Sequence, residues 1–381
     1  MKKVLFFLES LSGGGAEKVL SDLICNLDKS KYDITVCTVT DEGVYQKKVE
    51  SACRYTSFLK MKNFKAGGLK KILFCLKTKF IYKFPAKWVY KCFIREKYDV
   101  EVAFIEGFAT KFIGLSETNS TKIAWIHTDV ENNMYSENSY KNHQQHLEVY
   151  RKYSKIVCVS NTVKEAFERK FFISENVIVR YNPVDRNDIE KKKMENLNIL
   201  RPGGILLGSI GRLEQVKGYS RLLECVLKLK EEGYQFSLWL IGEGTERKKL
   251  EEFVFRNNLE KNVTLIGFQD NPFKYMNVCD AFICSSYAEG FSTAATESLL
   301  LGKPIFTVKC AGMNELFGNC NCGEIVENND AELYDMLKRV VSGQIDLNSF
   351  VNDIKKRASF FDVKKRIIDI ERLLDEEHDN K

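Results

Sequence analysis

No run of 18 apolar residues occurs anywhere in the 381-residue sequence, so no segment is long and apolar enough for a membrane-spanning helix. Cysteine pairs are missing as well. The twelve cysteines are scattered singly, several inside strand-like runs (Cys37, Cys158, Cys284), which fits buried reduced thiols and not a disulfide framework. Cys320 and Cys322 form one C-x-C with no second ligand pair at zinc-site spacing, so no metal is expected there. No short-period repeat is present, which sets aside stacked-repeat architectures. The N-terminus, MKKVLFFLESLSGGGAE, starts like a signal peptide, but its apolar run, 4–8, is cut short by Glu9. It reads as a first β-strand.

What is present is an ordinary soluble-protein composition, 44% hydrophobic and 29% charged, at a length that favours two domains. The formal charge of +6 is unevenly placed. Residues 60–97 hold twelve Lys/Arg and one acid, Glu96, a local balance of +11, whereas the other 46 basic and 51 acidic residues leave −5. Cations there alternate with Phe, Ile, Leu, Tyr and Trp88. Such a basic amphipathic stretch suits an anionic membrane surface; a solvated helix face packed on the first domain is the alternative. Nothing else resembles a nucleic-acid module, so no nucleic-acid partner is expected.

Short apolar runs alternate with amphipathic helical stretches, the pattern of parallel sheets covered by helices. Strands are expected at 4–8, 34–39, 100–105, 122–126, 156–159 and 177–180. After a polar stretch, 181–205, that reads as a linker, they resume at 205–210, 236–241, 263–266, 281–284, 304–308 and 323–326. The fold class is α/β: two Rossmann-like doubly wound domains, 1–185 and 186–360, facing across a cleft. The tail, 361–381, is read as a helix packing back on the first domain. Ligands of such sheets bind beyond the carboxyl ends of the strands.

Three loops at those ends carry chemistry. In 285–306, SSYAEGFSTAATESLLLGKPIF, a strand leads to a helix opened by Ser292 or Thr293 and closed by Gly302 and Pro304. Its N-terminus aims amides and partial positive charge at the loop, a place for a diphosphate. Glu297 lies about one turn inside, within reach of ribose hydroxyls, and Glu289 precedes the helix, where it could orient a sugar; either Glu alone could equally be an acid complementing the dipole. In GSIGRLEQVKGY, 208–219, Arg212 and Lys217 follow a strand on one loop and could neutralise two phosphates, or be solvated cations. At 12–20, SGGGAEKVL, Gly14 and Gly15 sit in a glycine loop between strand and helix. It departs from G-x-G-x-x-G, with Lys18 in the third glycine's place. His127 ends the apolar run KIAWI, where it could bind a sugar hydroxyl or be structural.

Together these motifs resemble glycosyltransferase family 4, the group 1 transferases of GT-B fold. The resemblance runs from the glycine loop through Arg212, Lys217, IGEG at 241–244 and LIGF at 265–268 to E-x7-E and GKP. It implies a retaining transferase drawing on a nucleotide-sugar, most often a UDP-sugar. The basic stretch 60–97 would meet the membrane where a lipid-linked acceptor lies, or the acceptor would be a saccharide, which fits bacterial surface-polysaccharide or capsule assembly; with the unpaired thiols it places the enzyme in the cytoplasm, peripheral on the inner plasma-membrane face. By the same resemblance Arg212 and Lys217 hold the donor diphosphate and Glu297 the ribose. Gly267 and Phe268 flank the base, and Glu289 with the backbone of Gly290, Phe291, Ser292 and Thr293 contacts sugar and phosphate. His127 takes the place of an active-site His. Two departures stand out: H-T-D in place of H-D, and Ser292 where relatives often carry Gly or Pro. No D-x-D triplet occurs, which argues against a chelated metal and for no cofactor. The competing readings are a GT-B nucleotide-sugar epimerase, a non-catalytic nucleotide- or carbohydrate-binding protein, and a dehydrogenase built on the N-terminal loop.

Overall fold

The computed structural model describes residues 1–376 and divides into two compact units, Met1–Pro183 with the chain from Lys364 onward, and Val184–Val363. The first is built on β1 (Lys2–Leu8), β2 (Tyr32–Thr40), β3 (Arg54–Leu59), β4 (Val100–Ala103), β5 (Thr121–Ile126), β6 (Lys155–Cys158) and β7 (Val177–Val179). The second is built on β8 (Ile205–Ile210), β9 (Phe236–Ile241), β10 (Val263–Gly267), β11 (Ala281–Cys284), β12 (Ile305–Val308) and β13 (Gly323–Val326). Every pairing is parallel, in the orders β3-β2-β1-β4-β5-β6-β7 and β10-β9-β8-β11-β12-β13.

Parallel strands with helices on both faces must be apolar on both faces. In β1, Val4, Leu5, Phe6 and Phe7 are all 0% exposed, with Val4 registered against Ile34 on one side and Val100 on the other. The helix that follows, Gly15–Asn26, buries Val19, Leu20, Leu23 and Ile24 at helical spacing, and Ser21 and Asp22 between them are buried as well, Asp22 paired with Lys18 and Lys48. In each sheet the winding direction reverses once, between β1 and β4 and between β8 and β11. The loops leaving those strands cannot lie over a neighbouring crossover, so each unit opens a crevice there.

The structure departs from the sequence reading in two places. β3 was not expected: as an edge strand it alternates exposed and half-buried residues before Phe58 and Leu59, so it lacks the continuous apolar run of its neighbours. The stretch 181–205 is not a plain linker, because Arg186–Lys192 is helical. Asp185 caps it by accepting from the Asn187 and Asp188 amides, Lys192 pairs with Asp188, and Ile189 is buried. One buried residue in a seven-residue helix gives no readable period.

Within 60–97 lie the helices Met61–Lys65, Gly68–Lys83 and Ala86–Phe93. Among the described residues no helix is long and apolar enough to cross a membrane. From the tail region 361–381, the helix Val363–Asp375 lies on the first unit; residues 377–381 fall outside the described residues. Glu371 accepts from the Asp28 amide (3.0 Å) and pairs with Lys31 (3.0 Å), and Lys2 Nζ donates to the Leu374 carbonyl (2.7 Å). Ile370 and Leu374 are fully buried. Leu374→Ala should therefore destabilise the first unit by about 2–4 kcal/mol, read as a lower midpoint of urea unfolding with intrinsic fluorescence. An unchanged midpoint would mean the tail contributes nothing to that core.

Candidate functional site

In the second unit the site is a set of loops interlocked past β8, β9, β10, β11 and β12. Gly211 and Leu213 donate to the Ile241 and Glu243 carbonyls (3.1 and 2.8 Å), and Gly242 donates to the Gly267 carbonyl (2.9 Å). The glycines of IGEG are required by contact: a Cβ on Gly242 would lie 2.0 Å from the Gly211 oxygen, and one on Gly244 2.4 Å from that of Leu213. On the other side, the Tyr287 amide donates to the Val216 carbonyl (2.8 Å), and the Ser285 hydroxyl to that of Lys217 (3.0 Å). Gly218, at φ 66°, places its Cα where a side chain would meet the Ser285 oxygen at 2.1 Å.

This interlock brings two of the expected residues together. Lys217 Nζ lies 2.7 Å from Glu289 Oε1, an ion pair spanning the β8/β11 switch point, and the Ser286 hydroxyl donates to the same oxygen (2.5 Å). Burial alone would lower the Lys217 pKa, yet the charge and hydrogen bond of Glu289 outweigh it and hold the ammonium above its ordinary value. Arg212 is exposed, with no ion pair or side-chain hydrogen bond among the described residues, so its guanidinium stays available to an incoming anion. The helix Thr293–Leu300 is capped by Ser292, whose hydroxyl accepts from the Ala295 amide. Ser292 thus spends its side chain on the helix, and the amides of the first turn ahead of Ala295 remain as donors. Glu297 is buried one turn further on, 3% exposed, and the Phe291 ring packs on Phe361. Gly267 (φ 81°) is packed beside Arg247 and Glu243, with Phe268 next to it 42% exposed.

Two residues that hold this loop were missed from sequence. Arg221, 5% exposed, donates to the Ser285 carbonyl from Nε and Nη2 (2.8 and 2.5 Å) and to that of Ser286 (3.0 Å), and stacks 4.0 Å from the Tyr287 ring. Asn328 reaches the Ser286, Tyr287 and Lys309 carbonyls. The readable signal was Arg221 itself, a cation on the apolar face of Tyr219–Glu231 beside Leu222 and Cys225.

In the first unit, Gly14 is the N-cap residue of Gly15–Asn26, and a Cβ there would fall 2.2 Å from the Glu17 carboxylate. Gly15 is the first helical residue. Past β4 and β5, Glu106 accepts from the His127 amide (3.0 Å) and the Thr128 hydroxyl (2.6 Å), fixing the H-T-D segment. The His127 ring lies 5.1 Å from Phe104, and its Nε2 is buried with no hydrogen-bond partner among the described residues. Burial pushes its pKa down to about 3. At the end of β1, Glu9 accepts from the Tyr82 hydroxyl (2.8 Å), and burial raises its carboxyl above the usual range. Glu9 and Glu106 were also missed, although each directly follows an apolar strand run.

No group of three or more His, Cys, Asp or Glu arranged to hold a metal exists among the described residues. Two doubly wound parallel units, the second carrying a cation–carboxylate pair at its switch point beside a helix N-terminus, form an α/β architecture of the class that takes ligands beyond the carboxyl ends of its strands. The family model for glycosyltransferase family 4 matches residues 13–188, and that for group 1 glycosyl transferases matches 190–357. The chain belongs to this glycosyltransferase family, and its relatives include glycosyltransferases of bacterial O-antigen and capsular polysaccharide biosynthesis. It is 28% identical, over 96% of its own length and 97% of the relative's, to N-acetylgalactosamine-N,N'-diacetylbacillosaminyl-diphospho-undecaprenol 4-alpha-N-acetylgalactosaminyltransferase of Campylobacter jejuni. With the O-antigen biosynthesis glycosyltransferase WclY of Escherichia coli it shares 27% identity over 51% of this chain and 54% of that one. Among solved structures it resembles Anabaena Alr3699/HepE in complex with UDP and glucose, at TM-score 0.75 and 20% identity over 98% and 99% of the two chains. This likeness gives the GT-B fold.

A His whose folded pKa is depressed is stabilising when neutral, fully so above its unfolded value near 6.5, and the contribution is lost as pH falls toward 3. His146, stacked 3.7 Å from Tyr140, is pushed down to about 3 by burial in the same way. Both rings should remain neutral at pH 5 in histidine-selective 15N spectra. A cationic signal from either at that pH would contradict the packing around it.

Proposed function

We propose that this glycosyltransferase is retaining and metal-independent. It transfers a sugar from a UDP-sugar to a lipid-linked or saccharide acceptor in cell-surface polysaccharide assembly, such as capsule. It acts in the cytoplasm at the inner face of the plasma membrane. The observation that carries this reading is the Lys217–Glu289 pair (2.7 Å) at the second unit's switch point, next to the helix that begins at Thr293.

In this reading the second unit binds the donor and the first the acceptor. Arg212, Lys217 and the first-turn amides meet the diphosphate and stabilise the charge that grows on it as the sugar departs, the largest catalytic contribution. These fixed cations and dipoles do the work that a chelated metal does elsewhere, so no cofactor is required. Glu289, held by Lys217 and Ser286, is oriented to grip a sugar hydroxyl, and Glu297 serves the ribose. The departing phosphate oxygen takes the acceptor proton, and the new bond forms on the face the diphosphate leaves, which retains configuration. The neutral imidazole of His127 supports a role in hydrogen bonding to the sugar and not in charge stabilisation. UDP as the nucleotide is supported by the UDP and UDP-glucose complexes of the Anabaena protein, and a lipid-linked acceptor by the diphospho-undecaprenol of the Campylobacter relative's name.

The membrane face is supported by Gly68–Lys83. Leu69 (71%), Ile72 (57%), Leu73 (49%) and Leu76 (58%) form an exposed stripe at helical spacing, while Ile81 is the helix's buried residue. Phe84 and Trp88 continue the exposed apolar surface. Cations flank the stripe, each contributing about 1 kcal/mol at an anionic lipid surface. That charge commits the occupant to anionic lipid.

Thermal-shift measurements with UDP, GDP, ADP and CDP test the donor: UDP at 100 times its Kd should stabilise by about 2.7 kcal/mol. Failure of all four to shift the protein would end the donor reading. With a responding UDP-sugar, Arg212→Ala and Lys217→Ala should each lower turnover at least about 10²-fold, with the fold retained by circular dichroism. The donor incubated alone should not epimerise. Vesicles of phosphatidylglycerol should sediment the protein at low salt, vesicles of phosphatidylcholine should not, and a Leu69→Ser/Ile72→Ser/Leu73→Ser/Leu76→Ser variant should stay in solution. Equal binding to both lipids would remove the electrostatic argument.

A further inference from the structure

At the switch point of the first unit one carboxylate is still without a role. Phe7 of β1 is registered against Ala103 of β4, and the Phe104 amide donates to the Phe7 carbonyl (2.9 Å), so the two strands leave the sheet side by side. Glu9 directly follows β1, and Glu106 stands just past β4, where it holds the segment that carries His127. The Val39 and Thr40 amides donate to the Glu9 carbonyl (both 3.1 Å) and fix its backbone at the sheet edge.

The Glu9 side chain is half-buried and takes one contact, from the Tyr82 hydroxyl to Oε1 at 2.8 Å. No cation pairs with it among the described residues, and burial raises its carboxyl. The contrast with Asp22 is direct. That carboxylate, also in the first unit, is neutralised by Lys18 (2.9 Å) and Lys48 (2.8 Å). Partial desolvation of an acid with a single neutral donor costs stability, and groups kept at such a cost in a crevice concentrate at ligand sites. Tyr82 comes from Gly68–Lys83, on the inward face with half-buried Phe74 and Thr78 and buried Ile81, opposite the exposed apolar stripe. Its ring packs on Phe108 (centroids 4.4 Å apart), which in turn sets against Phe7 (6.4 Å), yet Tyr82 remains 41% exposed.

We propose that Glu9 grips a hydroxyl of the acceptor's sugar and that the Tyr82 hydroxyl positions this carboxylate, with the Tyr82 ring as the apolar floor beneath the sugar. An ionised carboxylate only accepts, through two oxygens. Tyr82 occupies Oε1, and Oε2 is left to take a charge-assisted bond from a sugar hydroxyl. The ring offers an apolar face beside that polar point, the pairing an amphipathic sugar requires. A phosphate would meet like charge here with no cation paired to Glu9, so the group recognised is the neutral sugar of the acceptor and not an anionic linkage. The inference rests on the reading of the first unit as the acceptor side.

Saturation-transfer NMR on the full chain tests it, using the methyl glycosides of glucose, galactose, N-acetylglucosamine and N-acetylgalactosamine at millimolar concentration, with UDP present. At least one should bind. Glu9→Gln keeps an acceptor for Tyr82 but removes the charge, and should weaken that sugar about 5- to 10-fold. Tyr82→Phe keeps the ring and should weaken it about threefold. The double variant should be no weaker than Glu9→Gln alone, because the Tyr82 hydroxyl acts through the carboxylate. Each variant should keep the UDP thermal shift, which a general loosening of the first unit's fold would not predict alongside a selective loss of sugar. If Glu9→Gln does not fold, Tyr82→Phe decides alone. Binding by none of the four sugars, binding undiminished in the variants, or displacement of the sugar by inorganic diphosphate overturns the proposal. An unsubstituted protein that ignores UDP defeats the donor reading instead, and the sugar comparison, repeated without nucleotide, still reports on Glu9.

Discussion

Three carbonyls and one carboxylate, all on residues 285–289, need cationic or amide partners because the chain there leaves a buried strand and cannot form a regular ladder. Arg221 and Asn328 supply them from below, holding the Ser285, Ser286 and Tyr287 oxygens, and Lys217 closes on Glu289 from the neighbouring loop. Buried polar atoms left unpaired cost about 1–3 kcal/mol each, so this loop has one low-energy arrangement. The orientation of Glu289, the start of the helix at Thr293 and the contact between Cys284 and Glu289 all depend on it.

Packing tolerances enforce the same arrangement. Gly218, Gly242, Gly244 and Gly312 each lie where a Cβ would stand within 2.6 Å of a backbone atom in an adjacent loop. Glycine serves close approach here, and its left-handed conformation matters as well at Gly218 and Gly312. The consequence is a site whose loops are mutually templated, with little room for a ligand to reshape it beyond side-chain movement. Arg212 is exposed and has no pairing contact among the described residues, whereas Lys217 and Arg221 are tied to the loop after β11.

How much was legible differs by element. The strands of the second unit could be read to within a residue at their ends because each is a short, largely apolar run between breakers, and Thr293–Leu300 could be read because a serine cap and a Gly-x-Pro stop bracket it. β3 and the helix Arg186–Lys192 could not be read, since one is a half-exposed edge and the other is held by a cap and an ion pair with a single buried residue. Glu9, Glu106 and Asn328 could not be read as functional candidates because each acts on a partner distant in sequence, for Asn328 about forty residues away, and Arg221 left only the trace of a cation on an apolar helix face.

The sequence by itself determined the α/β class, the two-unit division and the loops that carry chemistry, because apolar runs, caps and glycines act locally and leave periodic traces. Tertiary structure alone decided that Lys217 pairs with Glu289, that Arg221 and Asn328 hold the carbonyls of the loop after β11, and that the Cys284 sulfur lies against the Glu289 carboxylate. Those outcomes depend on which strand ends the sheet order places side by side, and a parallel sheet assembles that order from segments with no local signal for one another.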